Sequence, residues 1–132
     1  MAVQIPDKFK DLFDKKAFAN LATLNPDGSP QVSPVWCELD GNTVIVNSVV
    51  GRHKDKNIKR DKRVALAISD PDNAYRYLEI RGKVVNITTD GGAAGIDKLA
   101  KKYMGVDKYP YHRPEDTRVV YRIEVEHTAS MG

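Results

Sequence analysis

Three turn signals cut the chain into short β-branched runs: Asn25-Pro26-Asp27-Gly28, Asp40-Gly41-Asn42 and Asp70-Pro71-Asp72-Asn73. In the first, Pro26 fixes φ and Gly28 accepts a positive φ; the second is a tight hairpin signal. The spacing predicts strands over 18–24, 29–39, 43–48, 64–69, 75–87 and 118–127. A chain of 132 residues protects so many strand edges most easily by closing the sheet on itself. The expected fold is mainly β, a small six-stranded antiparallel barrel with three short helices, filling 1–132 as one domain.

Pro30 and Pro34 interrupt the second run, and since proline cannot donate to a ladder they place it at an edge, a bulge or a ligand, with Val35 and Trp36 still partly buried. The long fifth run is expected to kink near Gly82. Residues 7–16 carry Phe9, Leu12 and Phe13 at helical spacing and read as a lid over one end of the sheet. A second helix has Ile96, Leu99, Ala100 and Tyr103 on one face, Thr89-Asp90 as its expected cap and Gly105 as its stop. Gly91, Gly92 and Gly95 weaken its first turn. Residues 106–117 read as a loop.

The 51–63 stretch holds seven of the 21 lysines and arginines. Gly51 lets the backbone leave the preceding strand, and a helix starting at 52–54 would present unpaired N–H groups and a positive dipole end beside Arg52 and Lys54. Together these describe a phosphate site; the alternative is a solvated basic turn. The net charge of +3 does not by itself call for nucleic acid, and little aromatic interleaving in the run argues against that partner.

Cys37, the single cysteine, excludes an internal disulfide and fits an intracellular, reducing setting. No signal core or membrane-spanning window is present, so a cytoplasmic location is expected, with no membrane partner. His53, His112 and His127 lack metal-ligand spacing, and no metal is expected. Ser33 and Ser48 lack a nucleophile elbow, and phosphate-loop and dinucleotide fingerprints are absent. No catalytic side chain stands out. An enzyme built on this sequence needs a cofactor to supply the chemistry.

The order 21–36 (Leu-Ala-Thr-Leu-Asn-Pro-Asp-Gly-Ser-Pro-Gln-Val-Ser-Pro-Val-Trp), followed by Arg52-x-Lys54-x-x-Asn57-x-x-Arg60-Asp61-x-Arg63, resembles the flavin-binding split-barrel superfamily related to pyridoxamine 5'-phosphate oxidase. Within it, Tyr75-Arg76-Tyr77-Leu78-Glu79-Ile80-Arg81-Gly82 and Tyr103-Met104-Gly105 resemble the deazaflavin branch, which uses coenzyme F-420.

The resemblance implies a six-stranded split barrel of the FMN-binding type that forms a homodimer with two cofactor sites between subunits. Gln31, Val32, Ser33 and Pro34 would lie along the tricyclic ring, with Ser48 and Val49 lining the same groove. Arg52, Lys54 and Asn57 fall on phosphate-binding positions. Tyr75, Arg76, Tyr77 and Leu78 would come from the other subunit to close the groove. The implied activity is hydride transfer from reduced F-420 to an activated double bond of a small organic substrate. FMN is the alternative cofactor, on an oxidase-related oxidoreductase. A non-catalytic flavin or haem carrier on the same barrel is the non-enzymatic alternative.

Overall fold

A computed structural model describes residues 2–132. A short 3-10 helix, Asp7–Phe13, precedes strands β1 (Ala19–Leu24), β2 (Pro30–Val35), β3 (Cys37–Asp40) and β4 (Thr43–Val49). Helix α1 (His53–Arg60) leads to β5 (Arg63–Asp70) and β6 (Asn73–Thr88), and helix α2 (Gly92–Met104) to β7 (Arg118–Met131). All pairings are antiparallel, in the order β2-β1-β5-β6-β7-β4-β3.

The sheet has seven strands where six were expected. The predicted 29–39 strand is divided: β2 pairs with β1, β3 pairs with β4, and Trp36 alone separates them. The two outer strands of the sheet are thus consecutive pieces of one run of chain. A single strand that changes neighbours just after Pro34 brings the ends of a curled sheet together, which is the physical content of a split barrel.

Alternate residues of each strand point into the curl and exclude water: Leu21, Leu66, Ile68, Leu78, Ile80, Val84, Tyr121, Ile123 and Val125 are all buried. Phe9, Leu12 and Phe13 of the 3-10 helix add to this core, as does Ile58 of α1. Leu78 therefore serves the interior. Two bulges bend the long β6–β7 ribbon: the register shifts between Arg81 and Gly82, and again between Val84 and Asn86. Gly82 sits at the first, as expected.

Arg76 fastens the 3-10 helix to the sheet. Its guanidinium donates to Asp11 at 2.7 and 3.1 Å, to Asp70 at 2.9 Å and to the Lys8 carbonyl. Lys15 also reaches Asp70, at 2.9 Å. The Lys15 ammonium, the Asp72 backbone N–H and Arg76 hold the Asp70 carboxyl far below the usual carboxylate range. A lowered folded-state pKa means that this stabilisation is complete above the unfolded-state value of about 4 and fades as pH falls through the folded-state value. In Asp70→Asn the thermal midpoint is expected to lie below wild type at neutral pH, the gap narrowing on acidification. An undiminished gap near pH ~3 would contradict the assignment.

Candidate functional site

α1 begins where β4 ends because Gly51 takes φ +92°, a conformation strained for side-chain-bearing residues. The first turn of the helix is fixed by Asp55, buried to 1% exposure. Its carboxylate accepts hydrogen bonds from the Gly51 N–H at 2.9 Å and the Tyr121 hydroxyl at 2.6 Å, and pairs with Lys59 at 2.9 Å. Tyr121 rises from the barrel floor, so α1 is anchored to the core. Its first turn then directs Arg52 and Lys54 toward the β2–β3 junction.

There they line a cavity of about 150 Å³ with Phe18, Pro34, Val35, Trp36, Asn47, Ile96, Tyr109 and Arg118. One wall is aromatic. Trp36 stacks on Tyr103 with ring centroids 5.0 Å apart and planes 4° from parallel, and meets Tyr109 edge-on at 5.9 Å. The Tyr103 hydroxyl donates to the Ala17 carbonyl at 2.7 Å and accepts the Cys37 N–H at 3.2 Å, fixing the stack to the segment before β1 and to the start of β3. The other wall is cationic. Arg52, Lys54 and Arg118 all face the cavity, and no carboxylate lines it.

Among the described residues, the Lys54 ammonium donates to one partner, Ser33 Oγ at 3.3 Å. Burial, followed by the charges of Arg52 and Arg118, pulls its ammonium below the ordinary lysine range. Lys54 therefore loses its charge earlier than an ordinary lysine as pH rises, and an anion that binds the charged form opposes that loss. Anion affinity is expected to decline on the alkaline side before an ordinary lysine would titrate, with Lys54→Arg moving the decline to higher pH. Titrations between pH ~7 and ~10 check this, and coincident profiles for the two proteins would refute it.

The expected site residues separate into groups. Pro34, Arg52 and Lys54 line the cavity, and Ser33 reaches it through Lys54. Gln31 turns to the α1 side, accepting from the Thr23 hydroxyl at 2.7 Å, while Val32 is 64% exposed on the opposite face of β2. Ser48 and Val49 are buried beside the cavity without lining it, and Ser48 Oγ has no hydrogen-bond partner of good geometry.

Asn57 does not face the cavity. Its amide donates to Thr23 Oγ1 at 3.0 Å and Asn25 Oδ1 at 3.1 Å and accepts from Arg60 at 3.0 Å, tying α1 to the β1–β2 turn. In this chain Asn57 holds the helix that carries Lys54. Tyr75, Arg76, Tyr77 and Leu78 lie three strands from β2 and reach no part of this cavity. Arg76 is committed to Asp11 and Asp70, Leu78 is fully buried, and Tyr75 is 80% exposed.

Phe18, Asn47, Ile96, Tyr109 and Arg118 complete the cavity, and none of them was among the expected cofactor-binding residues. The Thr89-Asp90 cap is likewise displaced: α2 starts after Gly91, at φ +74°, with no side-chain cap. Among the described residues, no three His, Cys, Asp or Glu side chains gather into a metal-holding group. No helix among them is long and apolar enough to cross a membrane.

A curled antiparallel sheet closed by one switching strand, with a cationic and aromatic cavity at the switch, defines a split barrel of the flavin-binding type. The chain belongs to the pyridoxamine 5'-phosphate oxidase family, whose sequence pattern matches residues 5–132. An F-420 reductase of known structure is similar to it at 35% identity and TM-score 0.83, covering 95% of this chain and 98% of that one. HupZ of Group A Streptococcus matches at 25% identity and TM-score 0.70, covering 96% and 94% of the two chains. A conserved hypothetical protein of Mycobacterium tuberculosis shares the fold at 21% identity and TM-score 0.74, covering 98% and 86%. These similarities mark a flavin-type cofactor family that includes an F-420 reductase.

Proposed function

We propose that this protein is an F-420-dependent oxidoreductase that reduces an activated double bond of a small organic substrate in the cytoplasm. The observation that carries the reading is the convergence of Arg52, Lys54 and Arg118 on a cavity with no carboxylate and with Trp36, Phe18 and Tyr109 as its walls. Three cations lining a cavity that no described carboxylate lines fit the anionic part of such a cofactor, and flat aromatic faces fit its ring. The similarity to an F-420 reductase over nearly the whole of both chains favours the deazaflavin over FMN.

When bound, the cofactor supplies the hydride. The chain's own residues would do the rest: Arg52 and Lys54 would hold the anionic part, the backbone of Gln31–Pro34 would run along the ring, and Trp36 and Tyr109 would exclude water. Hydride delivery would then be a matter of position, with no side-chain nucleophile, and the proton that completes the reduction would come from water or a nearby tyrosine hydroxyl.

The cavity of one chain, about 150 Å³, is smaller than the ~300 Å³ at which ligand pockets begin. A second copy completes it in this reading, which makes the protein a homodimer. An apolar hollow of about 360 Å³ supports that assembly. It is formed by Ala22, Leu24, Pro30, Val64 and Ala65, and its rim carries Arg63, Arg81 and Glu126, charges of both signs that a two-fold axis can match. Tyr75 and Tyr77 would close the groove from the partner.

Fluorescence titration of the apoprotein with F-420 and, in parallel, FMN tests the cofactor, and sedimentation tests the assembly. Preference for F-420 with a dimer supports the reading. Preference for FMN moves the protein to the flavin branch, binding of neither removes the enzymatic reading, and a monomer that binds cofactor removes the shared groove.

A further inference from the structure

We infer that Arg118 is a third ligand-binding cation of this cavity, that Asn47 is its positioning residue, and that the site selects an anionic end carrying at least two negative charges. Such an end is a phosphomonoester, or a phosphodiester with a neighbouring carboxylate. The inference rests on the cavity being the anion site of the proposed function and adds residues that its sequence motif does not contain.

Arg118 opens β7 directly opposite Val49, the last residue of β4, so strand pairing brings it beside the start of the basic stretch. It is only 7% exposed. Its Nε donates to Asn47 Oδ1 at 2.8 Å, and Asn47 Nδ2 donates to the Gly92 carbonyl at 2.9 Å. Both ends of the Asn47 amide are thereby fixed. The Arg118 guanidinium carbon lies 5.4 Å from the Tyr109 ring centre, so the ring covers one face of the fork. α2 comes close enough because its first turn carries no side chain at the contact: a Cβ on Gly92 would lie 2.8 Å from Arg118 Cβ, and one on Gly95 3.1 Å from Asn47 Nδ2.

What this cradle leaves open is decisive. Among the described residues, neither Nη group of Arg118 has a hydrogen-bond partner, and the side chain lines the cavity shared with Arg52 and Lys54. Arg76 shows what an arginine kept for structure looks like in the same molecule: two carboxylates and a carbonyl saturate it. Arg118 has a neutral amide at one nitrogen and an aromatic face, an arrangement that orients the fork without neutralising it. Half-buried cations are retained at a cost to stability unless something else compensates them. Arg118 and Lys54 are the two cations withdrawn from water, Arg52 being exposed; the charge of Asp116 reaches Arg118 without forming an ion pair among the described residues. A single negative charge cannot match both, which is why a doubly charged end is the fitting ligand.

Trp36, the only tryptophan of the chain, forms the cavity wall and reports occupancy through its fluorescence. The apoprotein is titrated with inorganic pyrophosphate and with dimethyl phosphate, a singly charged diester, at constant ionic strength. Pyrophosphate is expected to bind at least about tenfold more tightly than dimethyl phosphate, and Arg118→Met to lower pyrophosphate affinity by about tenfold or more. Arg118→Lys, which keeps charge and bulk but loses the fork, is expected to fall between. Asn47→Ala should weaken pyrophosphate binding in wild type and have no further effect in Arg118→Met, the signature of a residue acting through Arg118.

In thermal unfolding, Arg118→Met is expected to gain less on adding pyrophosphate than wild type does, each compared with its own anion-free midpoint. Equal affinity of wild type and both Arg118 variants overturns the assignment, as do equal affinities for the two probes or no response of wild type to pyrophosphate. Parallel F-420 and FMN titrations separate the two conclusions. Arg118-dependent pyrophosphate binding without cofactor binding removes the proposed function alone, and cofactor binding indifferent to Arg118 removes this inference alone.

Discussion

Replacing Arg52 and Lys54 together by alanine is expected to weaken cofactor binding by about 2–4 kcal/mol, roughly thirtyfold to a thousandfold. Each residue can give the anion a charge-assisted hydrogen bond worth ~1.5–3 kcal/mol. The two values do not sum, because both cations meet one anion and repel each other while it is absent. Arg52 is exposed and screened by salt, whereas Lys54 is half-buried between α1 and β2. Most of the loss should therefore appear in Lys54→Ala alone, and the Arg52 contribution should shrink as ionic strength rises. Fluorescence titration of the three variants at two salt concentrations measures this, and unchanged affinity of the double variant would disprove the phosphate assignment. Because neither side chain supports the core, the thermal midpoint of the cofactor-free protein should stay near that of wild type, which separates lost binding from lost folding.

The strands were legible because turn chemistry is local. Asn25-Pro26-Asp27-Gly28 and Asp40-Gly41-Asn42 set the hairpins where expected, and Gly51 and Gly105 adopt the positive φ their positions required. The division of the 29–39 run was not legible. Whether a strand keeps one neighbour or changes to another depends on the closure of the whole sheet, and Pro34 marks only a point of weakness. Thr89-Asp90 looked like a cap because side-chain chemistry favours it, but the chain enters α2 through the positive φ of Gly91, and the close approach of α2 to Arg118 selects Gly92.

The site divides along the same line. Arg52 and Lys54 were readable because consecutive residues concentrate their charge, and α1 displays what the sequence places in one turn. Arg118 stands 64 residues beyond Lys54 and meets it only through the β4–β7 register, a fact no local pattern carries. Tyr109 belongs to the 106–117 segment read as a loop, and its place in the wall follows from its N–H donating to Asp97 at 2.8 Å. Asn57 lies one turn further along the same helix, where its side chain hydrogen-bonds Thr23 and Asn25. Sequence order supplied the helix and its charge, while topology supplied the third cation and the aromatic wall.

Gly82→Ala is expected to destabilise the fold by about 3 kcal/mol, at the upper end of the usual cost of overpacking. At position 82 a Cβ would lie 2.0 Å from the Glu124 carbonyl oxygen and 3.0 Å from its carbon, a backbone obstacle that no rotamer change relieves. The crowding comes from the bulge itself. Arg81 faces His127 while Gly82 faces Val125, so β7 carries one extra residue there and folds its backbone toward β6. Moving β7 away would break the ladder that sets the curl, between Ile80 and Val84, both core residues. For a domain of this size the loss corresponds to a fall of roughly 10 °C in thermal midpoint. Lys83→Ala, one position later on the exposed face and outside the hollow, serves as the control and should shift the midpoint by no more than about 2 °C. Since the bulge shapes the barrel that positions β4 and β7, Gly82→Ala should also weaken anion binding at a cavity it does not touch. A variant with wild-type stability would show that the β6–β7 ribbon accommodates a side chain at the bulge, and the curl would then need another cause.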